Sequence, residues 1–265
     1  MTLKEKEICY ISKKEKEFMN KKPSNVLKQE RDMALNIIKD KLPQKVFMTT
    51  EAVFESAFDF IFDEGLDLIE KTYSKEKILN EYIENKNNFN KEKTLKNLRK
   101  FDNCLKSSNA ISIISTGIKS TALGIVGVGM PDIPIFIAEI LRVIYKTALS
   151  YGYRYENDRE KIYILSIIAF SISYGEDRVL YSKLCDDIAK CIDNKTDIKV
   201  SLKDMEEKVS GILAKRICGV KVVQCIMILG ALSSVSNVSI MNDMSYGAFL
   251  KYKKRFLNYK LLDKK

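Results

Sequence analysis

Five carboxylates spaced four residues apart are the first pattern in this chain that could do chemistry. They run down one face of a helix predicted from about Thr50 to Thr72: Glu51, Glu55, Asp59, Asp63 and Asp67. Clustered carboxylates bind hard cations, so the stripe could hold a metal ion. A metal site also needs ligands from a second element, and none is marked. We therefore predict a solvated acidic face, no metal and no cofactor, with the basic C-terminal segment as one partner for the carboxylates.

Catalysis is restricted by the absence of histidine from the chain. Without histidine there is no Ser-His-Asp triad, no His-ligated metal and no imidazole acid–base chemistry. Paired carboxylates could still transfer protons, but no spacing marks a pair. We predict no catalytic residues and rank an enzyme third among the possible functions.

Asp132 is a candidate ligand-binding residue. It stands between two prolines, shortly after Gly124, Gly127 and Gly129, where an exposed backbone could meet a ligand. The alternative is that Asp132 accepts hydrogen bonds from the first amides of a helix. The glycines do not follow the dinucleotide-binding order and are not followed by Gly-Lys-Ser/Thr, which favours close helix packing.

Arg142 is a second candidate, because it is a charged residue on an otherwise apolar predicted helix. An ion pair with Glu139, three residues earlier, is the structural interpretation. The functional interpretation is that Arg142 binds an anion such as a lipid headgroup in a cleft.

A basic amphipathic segment closes the chain. Residues 251–265 carry seven positive charges and one negative, while the whole chain has a formal charge of +10. Such a segment is typical of a helix on an anionic membrane surface, where each basic side chain contributes about 1 kcal/mol. A solvated helix is the alternative, and without a reader motif we expect no nucleic acid partner. We predict that five residues face the membrane: Lys251, Lys253, Lys254, Arg255 and Lys260.

Helices are expected to carry all of these residues, because helical periodicity runs along the chain and strand-like alternation is hard to find. We predict an all-α multi-helix bundle with central apolar helices dotted with Gly and Ser. Capping signals begin helices after Ser74, Asn157 and Ser201, and Gly152 ends one. A charged helical arm, residues 1–44, precedes a helical domain, residues 45–265. The polar stretch at residues 85–90 is expected to break a helix, and a last basic helix is expected to begin near Met244.

Two nearly uncharged segments, Asn109–Met130 and Val222–Asn242, are long enough to span a membrane. Lys119 in the first costs roughly 2.5–3.5 kcal/mol on insertion, against about 0.3–0.6 kcal/mol gained per Leu or Ile. The second contains Gln224, Asn237, Asn242 and several serines, so both segments are marginal as membrane spans. The first 22 residues alternate Lys and Glu, which predicts no secretory signal. We expect a cytoplasmic protein that attaches peripherally to the inner membrane face.

The segment Thr121–Tyr153 combines several distinctive features. It reads TALGIVGVGMPDIPIFIAEILRVIYKTALSYGY, with a glycine-rich apolar stretch, a Pro-Asp-Ile-Pro turn, a long apolar helix carrying Arg142, and a closing Tyr151-Gly152. This pattern resembles the EcsC family of bacterial proteins, and the likeness extends over residues 45–257. The resemblance implies an α-helical fold. It also implies a poorly characterised family, named for a member encoded beside an ABC-type transporter, with no catalytic residues to transfer.

These observations predict a non-enzymatic accessory protein bound to an anionic membrane or to a membrane transporter. The alternative is a helical protein that holds a hydrophobic or lipidic ligand between the helices predicted at Gly117–Gly129 and Val222–Asn242. The oligomeric state is left open.

Overall fold

Helices account for all the regular secondary structure described. The computed structural model describes residues 1–22, 44–103, 132–226 and 232–261, and no strand occurs in these ranges. The helices are α1 (Leu3–Met19), α2 (Gln44–Phe60), α3 (Leu66–Glu70), α4 (Lys75–Lys91), α5 (Leu95–Arg99), α6 (Asp132–Ser150), α7 (Asp158–Ile172), α8 (Gly175–Asp193), α9 (Leu202–Ile226) and α10 (Leu232–Arg255). One π-helical turn, Ile61–Gly65, joins α2 to α3, and another, Phe256–Lys260, follows α10. The prediction of an all-α multi-helix bundle is confirmed.

Helix α7 lies at the centre of the bundle. Every residue from Ile162 to Ile172 is buried, and α8, α9 and α10 all pack against it. A helix that is apolar on all sides can be stable in water only when other elements surround it. The described core is therefore built around this segment.

The start and stop signals read from the sequence are confirmed. The side chains of Ser74, Asn157 and Ser201 each accept a hydrogen bond from the backbone N–H three residues later, at 3.2, 3.0 and 3.1 Å. Helix α6 ends at Ser150, and Gly152 follows with a φ of 73°. Left-handed backbone of this kind favours glycine, because other residues carry a Cβ that clashes there.

The predicted helix break at residues 85–90 is wrong. Helix α4 continues through this stretch to Lys91, and Tyr82 and Phe89 are buried on its inner face. The Asn97 side chain on α5 donates to the carbonyls of Asn88 and Glu92 at 3.3 and 2.9 Å. These contacts outweigh the poor intrinsic helix propensity of asparagine.

The expected separate basic helix near Met244 is also wrong. Helix α10 begins at Leu232 and runs without interruption to Arg255, so the basic residues form its last turn. Helix α9 extends to Ile226. The uncharged stretch Val222–Asn242 therefore supplies the end of one helix and the start of the next.

Candidate functional site

The basic residues at the end of α10 lie inside the protein. Lys251, Lys253 and Arg255 are only 1%, 1% and 2% exposed. The expectation that these three line a membrane surface is wrong. Successive residues of an α-helix point about 100° apart, and α10 packs against α1, α6, α7 and α8. The neighbouring helices therefore enclose it on several sides and bury its cations.

Two carboxylates neutralise Lys251 and Lys254. The amine of Lys251 donates to Glu15 and, at 3.0 Å, to Asp186, and also to both oxygens of Ser182. Lys254 bonds the same two carboxylates at 2.6 and 2.7 Å. Burial opposes ionisation of Glu15, but the two lysines outweigh it and lower the pKa of Glu15. The four charges therefore tie α1, α8 and α10 together.

The remaining cations have equally well-defined partners. The amine of Lys253 lies 2.6 Å from oxygens of both Glu7 and Asp102. Burial raises the pKa of Asp102, with Lys253 acting in the opposite direction. The amine of Lys260 donates to the carbonyl of Gly152. Each contact joins the C-terminal segment to a distant part of the chain, so these residues stabilise the fold.

Arg255 makes the most extensive of these contacts. Its guanidinium donates to both oxygens of Glu160 at 2.8 Å each and to Asp193 at 2.7 and 3.2 Å. It also stacks on the rings of Tyr153 and Tyr163, with its central carbon 4.2 and 4.8 Å from their centroids. A bidentate, stacked arginine of this kind is a strong structural anchor.

Arg142 anchors one helix to a turn. Its guanidinium donates to the hydroxyl and the carbonyl of Thr72 at 2.9 and 3.3 Å. Thr72 follows the end of α3, where carbonyl groups lack helical partners. The contact gives Arg142 a structural role. Its pairing with Glu139 and its binding of an external anion stay predictions.

A polar network lies beside this anchor. The hydroxyls of Tyr73 and Tyr155 are 2.6 Å apart, and Tyr155 donates to Glu70 at 2.6 Å. Lys75 bridges Glu70 and Glu156 at 2.7 and 2.8 Å. Burial, followed by the hydrogen bond to Glu70, raises the pKa of Tyr155. Tyr155 therefore stays protonated and donates to the carboxylate, which links α3 to the loop before α7.

The other predicted ligand-binding residues are only partly described. Helix α6 begins at Asp132, with Pro134 in its first turn, as proline tolerates. The backbone of Asp132 is among the described residues, but its side chain is not. Gly124, Gly127 and Gly129 lie outside the described residues, and a role for them stays a prediction.

The acidic stripe of α2 and the following turns faces solvent at Asp59, Asp63 and Asp67. Its partner is Lys203 of α9, whose amine lies 3.8 Å from Glu55 and from Asp59. This differs from the expected pairing with the C-terminal segment, which is occupied by other carboxylates. Within the described ranges, no group of three or more His, Cys, Asp or Glu side chains is arranged to hold a metal ion.

Glu206 of α9 is a buried acid that faces this stripe. It is 4% exposed. Burial, followed by the negative charge of Asp59, raises the pKa of Glu206 from 4.5 to about 7. The folded protein therefore keeps a proton on Glu206 up to about pH 7, whereas the unfolded chain releases it near pH 4.5. The free energy of unfolding must then fall as the pH rises from about 5 to 7.

We expect Glu206→Gln to raise the free energy of unfolding by about 1–2 kcal/mol at pH 8 and to change it little at pH 5. The amide mimics the protonated acid, so the variant avoids the cost of ionising a buried group. Urea unfolding at the two pH values measures the difference. Glu207→Gln, at the adjacent exposed position, is the control. An equal gain at both pH values would contradict this account.

Two adjoining clefts open where α1 ends, and both are lined by Lys21. The first has a volume of about 470 Å³ and lies against α10, lined by Glu17, Phe18, Lys21, Asn242, Asp243, Ser245 and Tyr246. The second has a volume of about 650 Å³ and lies against the start of α8, lined by Met19, Asn20, Lys21, Lys22, Tyr174, Gly175, Glu176 and Val179. Ligand sites in helical proteins commonly have this size and lie between helices.

Asp243 is the buried charge of the first cleft. It is 3% exposed, and the amine of Lys21 donates to its Oδ1 at 2.5 Å. Arg178, which is wholly buried, lies 4.0 Å from Oδ2 and donates to the carbonyls of Phe18 and Ser171 at 2.8 and 3.1 Å. None of these residues stood out in the sequence, because no local motif marks them.

The comparison with protein families matches residues 5–257 to the EcsC protein family. The chain belongs to the EcsC protein family. The resemblance seen at Thr121–Tyr153 is therefore confirmed. The comparisons with curated proteins and with solved structures found no match.

The EcsC match is longer than the 45–257 expected from the sequence, because it begins inside α1. Helix α1 also packs against α8 and α10. The division into an arm, residues 1–44, and a domain, residues 45–265, stays a prediction. The segment that connects α1 to α2 in the sequence, residues 23–43, lies outside the described residues.

None of the described helices of this EcsC-family chain has the length and apolar character needed to cross a membrane. The segment Asn109–Met130 is not among them. The predicted ligand site between the helices at Gly117–Gly129 and Val222–Asn242 involves that same segment and stays a prediction.

Proposed function

We propose that this EcsC-family protein is a non-enzymatic accessory protein that docks peripherally on an anionic membrane surface. The observation that carries the proposal is an exposed apolar pair in the first two turns of α8. Val179 and Leu180 are 52% and 60% exposed, and Val179 also lines the second cleft. Adjacent exposed aliphatic side chains with basic neighbours can insert at the boundary between headgroups and acyl chains.

Exposed cations accompany the apolar pair. Lys21 and Lys22 follow α1 beside the same cleft, and Lys183 lies one turn after Val179 on the same face of α8. Each cation near an anionic leaflet contributes about 1 kcal/mol. Glu176 and Asp177 in the first turn of α8 reduce this attraction. We therefore expect membrane binding that salt weakens only in part, with the apolar pair supplying the rest.

This docking surface replaces the one expected at residues 251–260. Lys251, Lys253 and Arg255 are paired inside the protein, so they are not used here. The proposed surface contains only side chains that water already reaches. Binding then needs no rearrangement of the bundle.

The double variant Val179→Ser/Leu180→Ser is expected to lose at least tenfold in affinity for phosphatidylglycerol vesicles at low salt. Burying a full Val or Leu side chain is worth about 1.5–3 kcal/mol, so even partial insertion of two gives a loss of this size. Sedimentation with vesicles measures the bound fraction. Ile83→Ser is the matched control, because Ile83 of α4 is also 52% exposed but is not part of the proposed surface.

Equal sedimentation of the wild type and the double variant would overturn the proposed surface. Binding to native membranes, but not to vesicles made from their extracted lipids, would instead identify a membrane protein such as a transporter as the partner. Circular dichroism checks that both variants remain helical, as expected for exposed positions.

A further inference from the structure

We infer that the cleft between the end of α1 and α10 binds the ammonium group of a lipid headgroup. This inference rests on the proposed membrane function and names the class of lipid that the same end of the protein would select. Two residues form the site: Asp243 supplies the charge, and Tyr246 supplies an aromatic wall. The ring of Phe18, also in this lining, is already taken by the guanidinium of Arg178, whose central carbon lies 4.2 Å from the ring centroid.

The charge of the site is a fixed carboxylate with an exchangeable cation. The side chain of Asp243 is 5% exposed, whereas that of its partner Lys21 is 49% exposed. A buried carboxylate needs a cation beside it, and here a half-exposed amine reaches in to supply one. Arg178 is farther away, at 4.0 Å, and its two terminal nitrogens bond backbone carbonyls. The cleft thus already holds an ammonium group, that of Lys21, which solvent can reach.

The walls of the cleft suit the same ligand chemistry. The ring of Tyr246 contacts that of Phe18 edge to face, with centroids 5.4 Å apart and planes inclined by 71°, and it lines the cleft beside Asp243. Aromatic faces attract ammonium groups through their quadrupole, and the attraction grows when water is excluded. A buried carboxylate beside the ring of Tyr246 therefore recognises a primary or quaternary ammonium better than it recognises an anion.

The neighbouring second cleft indicates a lipid rather than a free amine. The two clefts meet at Lys21, and the second carries Met19, Lys22 and Val179 along its lining. A phosphoethanolamine headgroup with its ammonium on Asp243 would bring its phosphate toward the lysines and its acyl chains toward the exposed apolar pair of α8. Free phosphoethanolamine has the same polar groups but no chains.

The test uses two sets of vesicles with equal phosphatidylglycerol content. One is completed with phosphatidylethanolamine and the other with a neutral glycolipid, which has no ammonium group. We expect the wild type to bind the ethanolamine vesicles about tenfold more tightly, as one charge-assisted hydrogen bond permits. Asp243→Asn should bind both sets alike. Equal binding by the wild type, or a preference retained by Asp243→Asn, would overturn the inference.

A second variant keeps the test valid if Asp243→Asn does not fold. Lys21→Met removes the internal amine from a half-exposed position, and Arg178 still lies 4.0 Å from Asp243 to balance its charge, so the fold should survive. The preference for ethanolamine vesicles is expected to increase, because the ligand no longer competes with Lys21. A merely structural Lys21–Asp243 pair predicts an unchanged preference, which would overturn the inference.

The outcomes also separate this inference from the proposed function. Tight binding to both sets of vesicles alike would support membrane docking and overturn the ammonium site. If no vesicle binds, calorimetric titration with phosphoethanolamine examines the cleft alone. Binding that Asp243→Asn abolishes would keep the ammonium site and overturn its lipid source, and no binding would overturn both.

Discussion

Arg255→Met is expected to lower the free energy of unfolding by about 3–5 kcal/mol, the cost of breaking a buried ion pair from one side. The substitution leaves Glu160, which is 5% exposed, without its bidentate partner, and Asp193 loses two hydrogen bonds. The stacking on Tyr153 and Tyr163 is lost as well. Methionine has a similar length, so the loss reports mainly on the unpaired carboxylates.

Urea unfolding at pH 7 measures this loss, and Arg154→Met is the matched control. Arg154 lies 3.8 Å from Glu156, but its side chain is 72% exposed, so its removal should change stability by less than about 0.5 kcal/mol. The double variant Arg255→Met/Glu160→Gln should recover part of the loss, because it removes one of the two stranded charges. If Arg255→Met were as stable as Arg154→Met, the ion pair would not anchor the fold.

Gly152→Ala is the second substitution with a large expected effect, a loss of about 2–5 kcal/mol. Gly152 has a φ of 73°, and a Cβ added there would lie 2.3 Å from the ring of Tyr82. The left-handed backbone costs an alanine roughly 1–2 kcal/mol, and overpacking against a rigid ring adds about 1–3 kcal/mol. Thermal or urea unfolding detects a loss of this size directly.

Gly175→Ala separates the two contributions. Gly175 also has a positive φ, 59°, but an added Cβ meets no described atom within 4 Å. Its loss should be limited to the backbone cost of about 1–2 kcal/mol. Equal losses at the two glycines would show that the Tyr82 ring moves away from the added methyl group at little cost. The tight contact would then not lower the free energy of unfolding.

The helices could be predicted from the sequence because their signals are local. The cap at Asn157 accepts a hydrogen bond from Glu160 three residues later, and Gly152 ends α6 through its own backbone freedom. The prediction of a helix break at residues 85–90 was wrong for the opposite reason. Contacts that keep α4 helical there come from Asn97, on another helix. No local pattern among the asparagines of residues 85–90 indicates these contacts.

The destination of the basic residues could not be predicted in the same way. The carboxylates that pair with Lys251 and Lys253 belong to residues as distant as Glu15 and Glu7, and nothing near Lys251 distinguishes an inward lysine from a membrane-facing one. One signal was available in α1. Glu7 and Glu15 share a helical stripe with Ile11 and Phe18, and acids within an apolar stripe indicate buried acids that need cations.

The two clefts beside the end of α1 could not be predicted from the sequence at all. Asp243 and Lys21 are ordinary charged residues separated by 222 positions, and Val179 and Leu180 sit in a helix with a normal apolar face. These four residues come to line or border the clefts only because the helices that carry them lie beside one another. That arrangement follows from the packing of the whole bundle around α7, which periodicity alone does not specify.

The pairing of α1 with the last turn of α10 has a consequence for how the protein is made. Glu15 is synthesised 236 residues before Lys251, and ribosomes add roughly 5–20 residues per second. The first helix therefore waits on the order of ten seconds or longer before the lysines that neutralise it exist. Its two acids, Glu7 and Glu15, stay hydrated during that time, which keeps nascent α1 in water until the last turns of α10 emerge and the bundle can close.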